Sequence, residues 1–149
     1  MQNNVAFLAT DVGRLFRKRF DVAARALGVT GPQWRMLAAI RRTPGTTQGA
    51  LATWLEVEAI TAGRMIDRLE KIGLVQRRDD PADRRRWCLH LTTAAEQLMD
   101  RLGGCATGVF DDALNGFTDG EHELLKTLLE RVRANLSDEH PAEAKHDNG

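Results

Sequence analysis

The sequence lacks most of the features that mark secreted, membrane-bound and disulfide-rich proteins. Only two of its 149 residues are cysteines, and these do not form a Cys-x-x-Cys pair. The N-terminus has neither the basic region nor the apolar run of a signal peptide. No apolar run approaches the roughly 20 residues that a membrane-spanning helix requires. We therefore expect free thiols, a cytoplasmic location and no membrane partner.

Motifs for catalysis and for cofactor binding are also missing. The sequence contains no phosphate-binding glycine loop, no nucleophile elbow and no convergent pair of acids. The four histidines show no metal-ligand spacing. We therefore predict that the protein is not an enzyme and that it binds no metal and no cofactor.

Charge is distributed unevenly along the chain, although the net charge is zero. Residues 1–110 contain 17 Lys/Arg and 11 Asp/Glu, a net charge of +6. Residues 111–149 contain 4 and 10, a net charge of −6. Binding to phosphate requires a local basic surface and not a basic protein. A nucleic-acid partner is therefore compatible with the first segment.

Six helices are predicted from apolar residues at helical spacing and from capping signals. The first covers residues 5–27 and stops at Gly28. Thr92 or Thr93 starts the fifth, where Glu96 is placed to complete a capping box after Thr93. From position 137 onward the chain is polar and without periodicity, so residues 137–149 are predicted to be disordered. The other helices are expected to begin at threonine caps or just after the short turn that precedes Ala59: Thr30, Thr47, Ala59 and Thr118.

The central stretch, residues 47–91, combines two short helices with a basic hairpin. The two helices are separated by about three residues, which is the spacing of a helix-turn-helix. Residues 74–78 and 87–91 read as antiparallel strands on either side of a polar tip. This order predicts a mainly α fold (α+β), a winged helix-turn-helix with a two-stranded wing hairpin.

The second helix of this stretch carries polar residues at steps of three and four along its outer side. In a helix-turn-helix the N-terminal half of this helix enters the major groove, where arginine can donate two hydrogen bonds to guanine. We predict that Arg64 contacts bases. Thr61 is placed to touch a thymine methyl group or a phosphate. Arg68 and Lys71 lie further along the helix, where phosphate contact or plain solvation is the better interpretation. Ala62, Met65, Ile66, Leu69 and Ile72 are predicted to form the inner side of the same helix.

The hairpin tip carries three consecutive arginines, Arg84, Arg85 and Arg86. An extended arginine can enter the minor groove, where narrow A·T tracts strengthen the negative potential. Asp83 stands two residues before Arg85 and could hold its guanidinium in one orientation. A basic helical stripe is usually only a solvated face, but the order of the elements favours DNA binding. Thr47, at the start of the first short helix, completes the predicted DNA-binding set.

At this point the sequence resembles the MarR/SlyA family of bacterial transcriptional regulators, across roughly residues 5–136 and most closely across residues 47–95. Three segments carry the resemblance: Leu55-Glu56-Val57 at the turn, the run from Arg64 to Val75, and Asp80-Pro81-Ala82-Asp83-Arg84-Arg85 with Leu91-Thr92 downstream. Three positions depart from the family pattern. Gly63 stands where Ser or Thr is frequent, Glu58 stands where a Ser, Thr or Asp cap is usual, and Ala95 replaces a frequent glycine.

The resemblance implies a homodimer that binds double-stranded DNA at a pseudo-palindromic operator, usually as a repressor. It implies that residues 5–28 and 92–136 form a helical dimerisation part and that residues 30–91 form the winged helix-turn-helix lobe. It also implies release from DNA by a small aromatic or lipophilic anion, or by an oxidant.

The ligand cleft of this family lies between the dimerisation helices and the DNA-binding lobe. By analogy the lining candidates are Phe16, Phe20, Trp34 and Met36, with Arg17 or Arg41 available for an anion. The same aromatic residues could simply fill the core, and this interpretation is the one we favour.

Two alternatives to ligand release follow from other residues. The first is a redox-sensing regulator that acts through Cys88 or Cys105, although buried free cysteines are usually inert. The second is a winged helix that serves as a protein-interaction module. The arginine tip and the outer Arg64 argue against this alternative.

Overall fold

The computed structural model describes residues 4–137, and in this range the chain forms six helices and one antiparallel hairpin. This architecture confirms the predicted mainly α fold with a two-stranded wing. Apart from Ser137, the predicted disordered tail lies outside the described residues. The elements are α1 Val5–Ala26, α2 Gly31–Arg42, α3 Gln48–Leu55, α4 Ala59–Lys71, β1 Val75–Asp79, β2 Trp87–Leu91, α5 Thr93–Ala113 and α6 Asp119–Leu136.

The chain divides into two compact units between Phe110 and Asp111. The first unit contains α1 to α4, the hairpin and most of α5, and the second contains the end of α5 and α6. None of the helices between residues 4 and 137 is long and apolar enough to cross a membrane.

Side-chain caps start several of the helices as the sequence predicts. The Thr30 hydroxyl accepts from the amide of Gln33 at 3.2 Å, and the Gln33 side chain accepts from the Thr30 amide at 3.0 Å. The same reciprocal cap, between Thr118 and Glu121, starts α6. The hydrogen bonds from the amide and the hydroxyl of Thr118 hold the pKa of Glu121 below its usual value. Gly28 has a φ of +88°, which suits glycine at a helix end.

The capping box predicted after Thr93 is wrong. The hydroxyl of Thr92 accepts from the amide of Ala95 at 3.2 Å, so Thr92 takes the capping role at the start of α5. Glu96 instead pairs with Arg41 at 3.3 Å, across a large separation in sequence. The carboxylate of Glu96, which the local pattern assigned to the start of α5, therefore forms a tertiary ion pair instead.

The core of the first unit lies among α2, α3, α4, the hairpin and the start of α5. Burial of one such aliphatic side chain contributes about 1.5–3 kcal/mol. Ile72 departs from the predicted inner side of α4, because it follows the last helical residue and is 55% exposed. The largest fully buried side chains are Met36, Leu37, Ile40, Ile66, Leu69 and Leu89.

The hairpin is anchored to the segment that precedes α3. Val75 pairs with Leu91 and Asp79 pairs with Trp87 at the two ends of the ladder. Leu89 also exchanges hydrogen bonds with that earlier segment, donating to the carbonyl of Thr46 at 2.8 Å and accepting from the amide of Gly45 at 2.9 Å. Leu89 is therefore buried, whereas Trp87, at the tip end of the same strand, is 53% exposed.

Two helices expose apolar faces within one chain. In the first unit, α1 exposes residues that its sequence spaces along one side: Val5, Leu8, Val12, Leu15 and Val22. In the second unit, α6 has no buried residue, and the side chains predicted to face inward are 37–80% exposed: Leu124, Leu125, Leu128, Leu129, Val132 and Leu136. Faces of this kind are typical of surfaces that another molecule covers.

Candidate nucleic-acid interface

The outer side of α4 presents the predicted contact residues to solvent. Thr61, Arg64, Arg68 and Lys71 are all exposed. Within residues 4–137, neither Arg64 nor Arg68 makes an ion pair or a side-chain hydrogen bond. Their guanidinium groups therefore keep all their donors available, which is what contact with base edges or phosphates requires.

The start of α4 carries negative charge. Glu58 occupies the N-cap with extended backbone, and its side chain makes no capping hydrogen bond. Glu56, the residue that ends α3, has a φ of +55° and is also exposed. Both carboxylates line a shallow groove of about 760 Å³ beside Thr61. A backbone phosphate is disfavoured at this position, because like charges repel.

Gly63 is the point where the side chain of Gln48 crosses onto α4. The Gln48 amide nitrogen donates to the carbonyl of Ala59 at 3.0 Å. A Cβ atom added at Gly63 would lie 2.7 Å from that nitrogen. The absence of a side chain at Gly63 therefore accommodates a link between α3 and α4. Sequence reasoning missed Gln48, because nothing in the local pattern distinguishes it from a solvated glutamine.

Asp83 organises the tip of the wing, although not in the predicted manner. One of its carboxylate oxygens accepts from the backbone amide of Arg85 at 3.0 Å. The other lies 3.4 Å from Nε of Arg86. The prediction that Asp83 orients the guanidinium of Arg85 is therefore wrong, since the carboxylate holds the backbone of Arg85 and the side chain of Arg86. Among the described residues, the guanidinium groups of Arg84 and Arg85 have no ion-pair partner.

A groove of about 350 Å³ brings the wing and the start of α3 together. It is lined by Thr47 and Gln48 on the helix side and by Arg85, Arg86 and Trp87 on the wing side. Thr47 caps α3 by accepting from the amide of Ala50 at 3.2 Å. The amino end of a helix favours a nearby anion, and the guanidinium of Arg85, which has no ion-pair partner among the described residues, adds to that preference. The groove therefore combines three predicted DNA-binding residues in one anion-binding surface.

Arg77 connects the wing to α4, a role that the sequence did not indicate. Its guanidinium donates to Asp67 at 2.6 Å and to Glu70 at 3.0 Å. Partial burial by itself lowers the pKa of Arg77, but the hydrogen bonds and charges of the two carboxylates outweigh this and raise the pKa above its usual value. Although Arg77 borders the groove, its charge is already neutralised.

The candidate ligand residues separate into an aromatic cluster and a core residue. Phe20 lies 5.8 Å from Phe16 and 5.1 Å from Trp34 between ring centroids. Phe110, which was not among the candidates, completes the cluster at 5.7 Å from Phe20. Met36 is fully buried in the core of the first unit.

The two candidate cations for an anionic ligand differ in their partners. Arg17 is exposed on α1. Arg41 bonds to Asp100 at 2.6 Å and lies 3.3 Å from Glu96. The expectation that Arg41 is available for an anion is therefore wrong, because two carboxylates already neutralise it.

Both cysteines are free, with Cys105 exposed on α5 and Cys88 half-buried on β2. Cys105 is therefore not one of the buried free cysteines that are usually inert. Residues 4–137 contain no group of three or more His, Cys, Asp or Glu side chains that could hold a metal ion.

Comparison with known proteins places these features in a group of regulators. Residues 29–87 match the sequence model of the MarR family. The chain is 34% identical over 117 residues to a putative transcriptional regulatory protein for the hcr operon of Thauera aromatica, covering 78% of this chain and 70% of that protein. A crystal structure of a cysteine-to-serine mutant of MarR from E. coli is 25% identical with a TM-score of 0.79, covering 87% of this chain and 96% of that one. The mutant complexed with operator DNA is 25% identical with a TM-score of 0.73, covering 86% and 92%.

Proposed function

This chain belongs to the MarR family, and we propose that it represses transcription as a homodimer bound to a pseudo-palindromic operator. It is a DNA-binding transcriptional regulator of that family and not an enzyme. Since operator DNA is the site of action, we place the protein in the cytoplasm.

The observation that carries this proposal is the groove between α3 and the wing. It joins Arg85 and Arg86 to the amino end of α3. Gln48 lines the same groove and also bonds to Ala59, so the groove adjoins the first turn of α4. A duplex that places a phosphate in the groove would therefore be close to the wing and to α4, the recognition helix, at the same time. A role as a protein-interaction module does not explain why Arg64, Arg84 and Arg85 carry guanidinium groups that have no ion-pair partner in the described part of the chain.

Each part of this surface suits a different part of the duplex. Arg64, with Thr61 beside it, reads base edges in the major groove, where a bidentate arginine contact to guanine contributes about 1–3 kcal/mol of discrimination. Arg68 lies further along α4 and contacts phosphate. Arg84 and Arg85 project from the wing toward the minor groove, where extended arginines are favoured.

The exposed apolar faces support a homodimer. In the first unit, α1 leaves Val5, Leu8 and Val12 in solvent, and in the second unit α6 leaves a row of leucines in solvent. Exposed apolar rows of this kind are costly unless a partner covers them, and a second copy supplies the same faces. We therefore assign residues 5–28 and 92–136 to dimerisation and residues 30–91 to the DNA-binding lobe.

A small aromatic or lipophilic anion is the effector that we propose. The rings of Phe16, Phe20 and Trp34 offer an aromatic surface, and Arg17 is exposed on the same helix as the two phenylalanines. Release by an oxidant is the second candidate, and the exposure of Cys105 is the observation that favours it.

Selection of bound DNA from the genome tests the regulatory proposal. Purified protein is mixed with sheared genomic DNA at physiological salt, and the retained fragments are sequenced and footprinted. A pseudo-palindromic motif upstream of a small number of genes is the expected result. Repetition with candidate aromatic carboxylates, or with peroxide against a Cys105→Ser variant, distinguishes the two effector candidates. Retention of DNA without any common motif would contradict an operator-binding regulator.

A further inference from the structure

An isoleucine stands on the outer side of α4, where the sequence pattern indicated only polar side chains. Ile60 lies in the first turn of α4 and is 66% exposed. At 3.6 residues per turn, it points away from the buried Ala62 and lies one turn before Arg64 on the same side. Ile60 and Arg64 therefore present one apolar and one cationic group side by side.

Single exposed aliphatic residues are common on protein surfaces, so the exposure of Ile60 alone does not indicate a binding contact. The surroundings of Ile60 are more specific. Glu56 and Glu58 line the neighbouring groove and disfavour a phosphate there. The uncharged base edges are the DNA groups that suit the start of α4. Among those edges, the 5-methyl group of thymine is the apolar feature of the major groove, and apolar side chains recognise it by contact.

We propose that Ile60 determines sequence specificity by contacting a thymine 5-methyl group near the guanine that Arg64 reads. This inference rests on the proposed entry of α4 into the major groove. Four residues of helix rise by about 6 Å, which corresponds to roughly two base steps. The operator half-site therefore contains a thymine within about two base pairs of the guanine. Thr61, the earlier candidate for this methyl group, then contacts a neighbouring base edge.

Deoxyuridine provides the test, because it differs from thymidine only by the missing 5-methyl group. An operator is selected from random DNA with the wild-type protein, and each thymine is replaced by deoxyuridine in both half-sites in turn. Removal of one buried methyl group is expected to weaken binding about fourfold per half-site, or about 15-fold for both. At one position this loss should disappear in the Ile60→Ala variant. Ile72→Ala, which alters another exposed isoleucine at the end of the same helix, is the matched control and should retain the full loss.

The outcomes separate this inference from the function on which it rests. Uracil sensitivity that is lost only in Ile60→Ala supports the contact. If the wild-type protein selects an operator but uracil has no effect, or the effect persists in Ile60→Ala, the contact is overturned and operator binding stands. If the wild-type protein selects no DNA sequence, the operator proposal fails and the contact fails with it. Because Ile60 is exposed, its truncation should leave the helical circular dichroism signal unchanged, and a lost signal would contradict its assignment to the outer side.

Discussion

The guanidinium of Arg77 on β1 donates a 2.6 Å hydrogen bond to the carboxylate of Asp67 on α4. Glu70, one turn further along α4, accepts from the same guanidinium at 3.0 Å and from the Arg77 backbone amide at 3.3 Å. The side chain of Arg77 is only 20% exposed, so these bonds are less screened than those of a surface ion pair. Strand and helix are thereby held together next to the two surfaces that are proposed to enter different grooves.

Replacement of Arg77 by alanine is expected to weaken operator binding at least tenfold while affinity for random DNA changes little. The physical reason is that the wing and α4 can then no longer be held in one relative position. Fluorescence anisotropy with operator and random duplexes at matched salt measures both effects. Arg78→Ala is the control, because Arg78 is the neighbouring arginine and, among residues 4–137, its side chain bonds only to the side chain of Gln76. Equal losses for the two variants would show that Arg77 contributes charge and not position.

Truncation of Arg85 to alanine should weaken operator binding more than tenfold and leave the dimer intact. Its backbone is held by Asp83 while its guanidinium has no ion-pair partner among the described residues, so the charge is available to the minor groove. Anisotropy measures the affinity, and sedimentation velocity measures the oligomeric state. Lys18→Ala removes an exposed charge from α1 and serves as the control. Unchanged affinity at matched salt would remove Arg85 from the interface.

Asp83→Ala should also reduce affinity, by a smaller factor. The turn then loses the acceptor for the Arg85 amide and the partner of Arg86. Because no arginine is deleted, the slope of affinity against salt should be retained. A reduced slope would instead indicate that the loop had withdrawn from the phosphate backbone.

Replacement of Arg64 by alanine and replacement of Arg68 by alanine are expected to reduce DNA affinity in different ways. Loss of a bidentate guanine contact lowers operator affinity by about 1–3 kcal/mol per half-site and barely affects random DNA. Loss of a phosphate contact lowers both affinities alike and reduces the salt slope by about one for each contact. Titrations of both variants on operator and random DNA at several salt concentrations separate these patterns. Equal losses of affinity for operator and random DNA in Arg64→Ala would indicate that Arg64 contacts phosphate and not a base.

The protein is expected to be a dimer at micromolar concentration without DNA. Leu128 is 42% exposed on α6, and a charge at this position would be buried on assembly, so Leu128→Glu should produce monomers. Analytical ultracentrifugation distinguishes these from the wild-type protein, whose chain mass is 16.6 kDa. Lys126→Glu changes an exposed polar residue of the same helix and should remain dimeric. A wild-type monomer would contradict the role given to α1 and α6.

Local patterns were sufficient to predict much of the fold. The caps at Thr30, Thr47 and Thr118 and the stop at Gly28 depend on atoms within about four residues, so their sequence neighbours contain all the information. The same reason explains the correct bounds of β2 and the start of α4 at Ala59.

Contacts between residues far apart in sequence could not be predicted in this way. Glu96 was assigned to a cap, but the structure gives its carboxylate to Arg41. Ile72 and Trp87 follow apolar periodicity, yet both lie beyond the region that neighbouring elements cover and are exposed. Periodicity identifies the side of an element that is apolar, but it does not show where the covering element ends.

By itself, the sequence determined that residues 47–91 form two short helices and a basic hairpin, because helix periodicity, threonine caps and strand alternation are local properties. Tertiary structure alone decided how the arginines of this stretch are used. Arg77 is neutralised by α4 and Arg86 is paired with Asp83, whereas the guanidinium groups of Arg64 and Arg85 have no ion-pair partner within residues 4–137. The physical reason is that a charge becomes available to DNA only when folding brings no carboxylate within reach, and this depends on distances that the sequence does not contain.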